Sequence, residues 1–487
     1  MIRKLVIPLA ISSITVPLFA QDVLDLDEAI NQSIENNFTY RIARVDPEIA
    51  RDQVTAESAA FDTEIFISGE VAQSESAASG NSYDQRSLNA GATKRLVHGT
   101  RVTASTALNR SDTRFTSGST PLSQDADFSL SIRQPLLKGY GKQSNTAFLE
   151  RAKAGFSATR ANLKGTIQDV LAQTEFAYWQ VARWQEQLAL NESNLKVAEA
   201  LLEEAMERQR VGLVTQIEVL QAEAFRAESR EDIIETTRIL GDAYDHLMEM
   251  MGALPDTGFT MEAGRAVQAL PDADGTIPDF DQSWTMALNS DPALAAQEAQ
   301  IEQRQLDQIA AKDAARANLD LVLSGAYSGN DDDAQGAYGN AFDRDGHAWS
   351  IGLEFSMPWS RREERANQRI TDKRLQKEEI RYQSLKQSLY RDVRSAWRSL
   401  SAVQQSLEAA RLTVSLQEAS FEREKSKYAQ GLSAFRDVLE AQRDLDQARV
   451  RLLQSKFTKL SAEIDLANLS GRLFQRHGIA VDLPELN

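Results

Sequence analysis

Two ladders of side chains with alternating steps of four and three residues constrain this chain more than any other feature. The first runs Ala396, Leu400, Val403, Leu407, Ala410, Val414, Gln417, Phe421, Glu424 and Tyr428. The second runs Val438, Ala441, Leu445, Ala448, Leu452, Ser455, Lys459, Ala462, Leu466, Leu469 and Leu473. This is the 3.5-residue period of a coiled-coil seam. Small residues alternate with leucines along much of the second ladder, which lets helices approach closely. The segment from Arg361 to Tyr428 is 68 residues, or about 100 Å of helix, roughly three times the hydrocarbon thickness of a bilayer. Such a helix is not a membrane span and must project far from anything anchored in one.

A different period precedes it. Trp349, Ile351, Leu353, Phe355 and Met357 alternate with Ser350, Gly352, Glu354 and Ser356, and Leu319, Leu321 and Leu323 repeat the pattern. Period two marks a strand with one apolar and one polar face. Further segments of this kind lie at Phe61 to Val71, Leu88 to Val97, Val102 to Leu108 and Phe128 to Arg133. Alternating segments of about ten residues are those of transmembrane β-barrels. A closed membrane barrel needs at least eight strands, because an open edge cannot be left in lipid. One chain therefore cannot close a barrel, and several must pool their strands.

The chain is also duplicated. Gly212 and Gly431, 219 residues apart, sit in the turns Val211-Gly212-Leu213 and Gln430-Gly431-Leu432; similar runs follow, Ile217 to Ala222 and Arg436 to Ala441. The same offset relates Gly252 to Gly471, and Gln134-Pro135-Leu136 resembles Met357-Pro358-Trp359. The expected organisation is a first repeat over 21–250 with a helical hairpin at about 143–250, a linker over 251–278, a second repeat over 279–473 with a hairpin at about 361–471, and a tail over 474–487. Residues 1–20 read as an export signal: Arg3 and Lys4, then an apolar run from Leu5 to Leu18, then Ala20 before a mature start near Gln21.

Composition removes several alternatives. There is no cysteine, hence no disulfide framework, thiolate metal site or thiol nucleophile. A formal net charge of −17 and a pI near 4.9 argue against a nucleic-acid ligand. His98, His246, His347 and His477 lack ligand spacing, so neither a metal nor a catalytic histidine is expected. Gly139-Tyr140-Gly141-Lys142 reads as a turn entering a helix rather than a phosphate loop, since Ser144 replaces a required glycine. Asp331, Asp332, Asp333 and Gly336, then Asp343, Asp345 and Gly346, suggest a Ca²⁺ loop, but Phe342 stands where a bidentate Glu belongs, and a solvated loop is favoured. Trp349 and Trp359 suit a membrane-interface belt.

In order, spacing and duplication, these motifs resemble the TolC-like outer-membrane efflux proteins over nearly the whole mature chain. Strands feed through Gln134-Pro135-Leu136-Leu137 into a long helix, and Glu218-Val219-Leu220 and Asp437-Val438-Leu439 follow the two glycine turns. The resemblance implies a mainly α protein of two structural repeats, with a trimeric coiled-coil α-barrel and a shared outer-membrane β-barrel to which each chain usually gives four strands. Four is the expectation here, with the extra hairpin around His98-Gly99 extending or flanking the barrel. It also implies a homotrimer in the outer-membrane lipid of a Gram-negative bacterium, with a large periplasmic extension. Such a protein is an exit duct, without cofactor, for an inner-membrane pump of RND or ABC type docked through a periplasmic adaptor, in efflux or type I secretion.

The resemblance further places a pore gate at the hairpin tips: an acidic ring at Asp437 and Glu440, a latch tyrosine at Tyr428 and a latch acid at Glu218. Asp437 and Glu440 read in isolation are ordinary solvated helix acids. In a ring of three chains they would repel one another and concentrate cations. The hydroxyl of Tyr428 is expected to bond an acid such as Glu218. Ser433 occupies the latch-arginine position, with Arg436 one turn away as the substitute. Gly212 and Gly431 read as left-handed helix-end positions, and Leu213 and Leu432 as the adaptor contacts. A periplasmic or surface coiled-coil fibre is the competing class; it accounts for the heptads but not for the alternating strands.

Overall fold

The computed structural model describes residues 23–75, 82–115, 118–119, 123–253, 265–272, 275–343, 346–479 and 483–486. The export signal, much of the linker and Asp345 lie outside the described residues. The order is α1 (Leu26–Asn36), α2 (Phe38–Ser58), β1 (Thr63–Glu75), β2 (Ser82–Arg95), β3 (Arg101–Phe115), a two-residue β4 (Gly118–Ser119), β5 (Ser123–Pro135), α3 (Lys142–Arg210) and α4 (Gln216–Met250). The second copy repeats it with α5 (Phe280–Ser290), α6 (Pro292–Ala314), β6 (Asn318–Asp331), α7 (Ala334–Phe342), β7 (Gly346–Ser356), α8 (Arg362–Ala429), α9 (Phe435–Leu469) and a short α10 (Leu473–Arg476). With 69 and 68 residues, α3 and α8 each have a contour of about 100 Å. No described helix is long and apolar enough to cross a membrane.

The chain divides into two compact units. One comprises Ile42–Gly165, Asp291–Leu389 and Val481–Asn487 and contains the sheet, whose order is β1-β2-β3-β5-β6-β7 with β4 paired to β3. All pairings are antiparallel. The sheet has six long strands, where four were expected for the barrel: the hairpin around His98-Gly99 lies between β1 and β5 rather than beside the sheet. Register aligns one apolar face, through Ile65 opposite Ala92, Ala92 opposite Ala104, Ala104 opposite Leu130, Leu323 opposite Ile351 and Leu321 opposite Leu353. Cross-strand partners share a face, so the other face collects Ser68, Asn89, Thr103, Ser105, Ser129, Ser131 and Ser324. Ser105 and Ser129 join hydroxyls at 2.8 Å across it, and Ser324 and Ser350 at 2.7 Å.

At the end of the sheet bearing α7, that helix lies over the apolar face. Phe128 stacks against Tyr338 and Phe342, with centroids 5.5 and 4.7 Å apart. Gly329 permits this approach, because a Cβ there would lie 2.2 Å from the Ala341 nitrogen. The acids of this loop serve the helix: Asp333 is its N-cap, accepting from the Gly336 amide at 2.7 Å, and Asp331 accepts from Asn340 at 3.2 Å. Among the described residues no group of three His, Asp or Glu side chains is placed to hold a metal.

At the opposite end β5 runs into α3 through Gly139 and Gly141, both at positive φ. The Gly139 amide donates to the Asp313 carboxylate at 2.8 Å, and the Asn145 amide donates to the Gly139 and Gly141 carbonyls. That turn is closed by protein groups.

The other unit comprises Met1–Arg41, Thr166–Ser290 and Tyr390–Ala480. Two apolar clusters hold it. One gathers Tyr178, Trp179 and Val181 of α3, Tyr244 and Leu247 of α4, and Leu453, Phe457 and Leu460 of α9 around Leu24 and Val267. The Tyr178 hydroxyl donates to the Leu24 carbonyl at 2.7 Å and accepts the Gln268 amide at 3.0 Å, and burial pushes its pKa up to about 12. Both ladder helices bury their seams, with Leu400, Leu407, Phe421 and Tyr428 on α8 and Val438, Leu445, Ala448, Ala462 and Leu466 on α9. His477 packs with Arg476 onto the buried carboxylate of Glu175, at 3.0 and 3.1 Å, tying the chain end back to α3.

Candidate functional site

The second cluster lies where the helical hairpins turn. It gathers Leu201, Leu202 and Ala205 of α3, Val219, Ala222 and Phe225 of α4, Phe421 and Tyr428 of α8, and Phe435, Val438 and Leu439 of α9. The two turns are built alike. Gly212 adopts φ 77° and Gly431 φ 74°. The Gly212 amide donates to the Gln209 carbonyl and Leu213 to Arg208, both at 2.9 Å; Gly431 donates to Tyr428 at 3.0 Å and Leu432 to Lys427 at 2.9 Å. These are paired Schellman caps, in which a left-handed residue lets the last carbonyls find donors. Gly252 and Gly471, at φ 68° and 69°, close α4 and α9 the same way. Leu213 and Leu432 are 75% and 73% exposed, with Val211, Ile217 and Leu220 also exposed. The tips therefore carry an apolar surface.

Beside the second turn, Tyr428 is buried to 5% exposure with its ring 5.6 Å from Phe435. Its hydroxyl has no hydrogen-bond partner among the described residues, so the expected bond to Glu218 is not formed. Glu218 acts on it through charge: burial first, then Glu218 and Glu204, raise the phenol pKa, and Arg208 opposes them. Ser433 donates to the Glu424 carboxylate at 2.5 Å and to Asp437 at 3.4 Å. That bond, with Lys427 at 2.9 Å, holds the Glu424 carboxyl below its usual range. Asp437 reaches back to the Ala434 amide at 3.4 Å, as an acid in a first helical turn does. Glu440 is exposed one turn on.

Arg436, expected as the substitute for the latch arginine, does not meet Tyr428 within the chain. Near the start of α9 its side chain is 78% exposed and reaches only its neighbour Asp437, at 3.5 Å. The cation that meets Tyr428 is Arg208, from the other copy. Its guanidinium lies 4.3 Å from the ring centroid, donates to the Tyr428 carbonyl at 3.3 Å, and pairs with Glu204 at 2.8 Å. Arg208 thus joins the two hairpins, and Arg443 of α9 joins them again, pairing with Glu228 of α4 at 2.7 Å and lying 5.6 Å over the Phe225 ring. Sequence reasoning missed Arg208, although the repeat offset carries a signal: 219 residues separate it from Lys427, so each copy has a basic residue four positions before its turn glycine.

Similarity to known proteins agrees with this architecture. The model of the outer membrane efflux protein family matches residues 98–253 and 284–472. The chain belongs to the outer membrane efflux protein family. A curated relative, the outer membrane efflux protein BepC of Brucella suis biovar 1 (strain 1330), is 28% identical over 167 residues, and the match spans 34% of each protein. Among solved structures, the outer-membrane channel OprN superposes with a TM-score of 0.70 at 16% identity, over 92% of this chain and 89% of that one. The Campylobacter jejuni CmeC outer membrane channel gives 0.67 at 15% identity, over 92% and 85%. The fold is that of outer-membrane channels built from two repeats, an α-barrel and a β-barrel. As a family member this protein resides in the outer membrane, with its helical part on the periplasmic side.

Proposed function

We propose that the protein is a passive exit duct of the outer membrane, assembled from three chains, through which an inner-membrane pump of RND or ABC type expels its substrate by way of a periplasmic adaptor. The observation that carries this is the amphipathic sheet with two unpaired edges, β1 and β7, in a chain whose other half is long helical hairpins. Such a sheet is stable in lipid only when neighbouring chains complete it. The long seams of α8 and α9 suit a tube of pooled hairpins. A coiled-coil fibre has no use for a sheet of this kind.

The hairpin tips are the periplasmic end in this reading, and exposed Leu213 and Leu432 the surface offered to the adaptor. Asp437 and Glu440 of three chains ring the constriction, and Tyr428 holds it shut with Arg208 rather than with Arg436. Glu218 tunes the latch by its charge. Mass measurement of the protein extracted from outer membranes in mild detergent tests the assembly. A heat-modifiable trimer is expected; a stable monomer with fully formed β-structure would overturn it.

A further inference from the structure

We infer that the membrane barrel has eighteen strands, six from each of three chains, closed by β7 of one copy pairing with β1 of the next. The inference rests on the trimeric reading above and departs from the four strands per chain that the resemblance implies. It turns on whether the β2–β3 hairpin is part of the wall.

Three observations place it there. First, β2 pairs β1 from Thr63 opposite Lys94 to Glu75 opposite Ser82, and β3 pairs β5 from Arg101 opposite Arg133 to Ser111 opposite Ser123. The hairpin thus separates β1 from β5 along their lengths, and without it β1 has no partner in the chain. Second, its side chains continue both faces of the sheet. Leu88, Ala90, Ala92, Val102, Ala104 and Leu108 lie on the apolar face between Ile65 and Ile67 on one side and Leu130 and Ile132 on the other, while Asn89, Thr103 and Ser105 continue the polar face. On the polar face the Phe66 ring covers Gly91, where a Cβ would lie 2.6 Å from the ring edge.

Third, the turn of the hairpin is locked to the junction between strand and helix. Arg95 donates to the Asn145 side chain at 2.7 Å, Thr100 to Gln134 at 2.5 Å, and the Gly141 amide to the His98 carbonyl at 3.2 Å. Gly99 sits at φ 95° so close to this junction that a Cβ would lie 2.1 Å from the Gly139 carbonyl oxygen. The hairpin is fixed where β5 leaves the sheet for α3, and a loosely attached flap would need none of these contacts.

The occupant of the two bare edges follows from direction. Neighbours in the sheet order alternate in direction from β1 to β7, so β1 and β7 run oppositely and meet between copies as an antiparallel pair. They have similar lengths, 13 and 11 residues, and carry their exposed apolar residues on the same face: Ile65, Ile67 and Val71 on β1, Trp349, Ile351, Leu353 and Phe355 on β7. Pairing them satisfies the last free backbone groups and leaves the apolar face unbroken towards lipid. With strands about 4.8 Å apart and tilted about 40°, eighteen strands give a backbone diameter of about 36 Å, against about 24 Å for twelve. The cross-section more than doubles, and the polar lumen is lined by Ser, Thr and Asn.

The natural absence of cysteine makes the test direct. Single cysteines at Ala90, Ala92 and Ala104 carry nitroxide labels in trimers reconstituted into lipid nanodiscs, with Ile67→Cys as lipid-facing and Ser105→Cys as lumen-facing standards; Thr106, which bonds Tyr338 of α7, is left out. All three labels are expected to match Ile67→Cys in accessibility to dissolved oxygen and protection from a water-soluble nickel chelate. A second set pairs Ser68→Cys with a cysteine at 348, 350 or 352, and oxidation is expected to give covalent dimers and trimers at one register. Trimers whose labels at 90, 92 and 104 are water-accessible would place the hairpin outside the wall and overturn the inference while sparing the duct. Failure to cross-link at every register would overturn the closure. A monomer mass would instead bring down the duct reading itself.

Discussion

Replacing Arg208 with alanine tests the clamp between the two hairpins. The guanidinium stacks on Tyr428 at 4.3 Å while only 24% exposed, a geometry worth about 1 kcal/mol. Its 3.3 Å bond to the Tyr428 carbonyl adds about 1 kcal/mol more. Glu204, 37% exposed, is rehydrated when its partner is lost and changes the sum little. In the proposed trimeric gate, where opening separates the hairpins, each chain loses about 2 kcal/mol of closing free energy, roughly a thirtyfold shift, and three chains opening together lose about 6 kcal/mol, roughly 10⁴-fold. Single-channel recording in planar bilayers reads this directly: Arg208→Ala is expected to convert a low, rarely open conductance into a mostly open one. Arg208→Lys keeps charge but loses the planar stack and should fall between. Tyr428→Phe keeps the ring and removes a hydroxyl that has no hydrogen-bond partner among the described residues, so it should stay sealed. If folded Arg208→Ala trimers conduct like the parent, or Tyr428→Phe opens as far as Arg208→Ala, the clamp is refuted.

Three further expectations follow from the same geometry. Gly252→Ala and Gly471→Ala should each cost well over the ~1 kcal/mol of a left-handed alanine, because their Cβ atoms would lie 2.3 Å from the Asn36 carbonyl oxygen and 2.5 Å from the Ser290 hydroxyl; Gly212→Ala and Gly431→Ala, with open space around them, should cost only that ~1 kcal/mol, as thermal melts in detergent would show. Asp446 is pushed up to about 6, by burial first, so its ionisation opposes folding. Because the folded state holds that proton more tightly, stability falls as pH rises from about 4 to about 6, by up to ~3 kcal/mol, and stays lost above; Asp446→Asn should raise Tm at pH 7.5 and leave it unchanged near pH 4. Finally, Asp437→Asn should weaken divalent-cation block from the tip side by removing three charges from the proposed ring, while the cap to Ala434 keeps an amide oxygen as acceptor; unchanged block would return Asp437 to a capping role alone.

Period and offset are local properties, and the sequence by itself determined whatever depends on them. The 3.5-residue ladders placed the buried seams of α8 and α9, the two-residue alternation marked all six long strands, and the 219-residue offset paired turn glycines that share one left-handed conformation. Strand pairing order is not local. Whether β2 and β3 belonged in the sheet or beside it depended on hydrogen bonds between segments tens of residues apart and on contacts such as Arg95 with Asn145, which no periodicity encodes. The cation that meets Tyr428 was hidden for the same reason. Ser433 and Arg436 are close to Tyr428 in sequence, but helix geometry turns Arg436 to solvent, whereas Arg208, 220 residues away, is carried onto the ring by the packing of α3 against α8. A side chain's neighbours along the chain fix its helix face, and only the packing of distant segments fixes what that face meets.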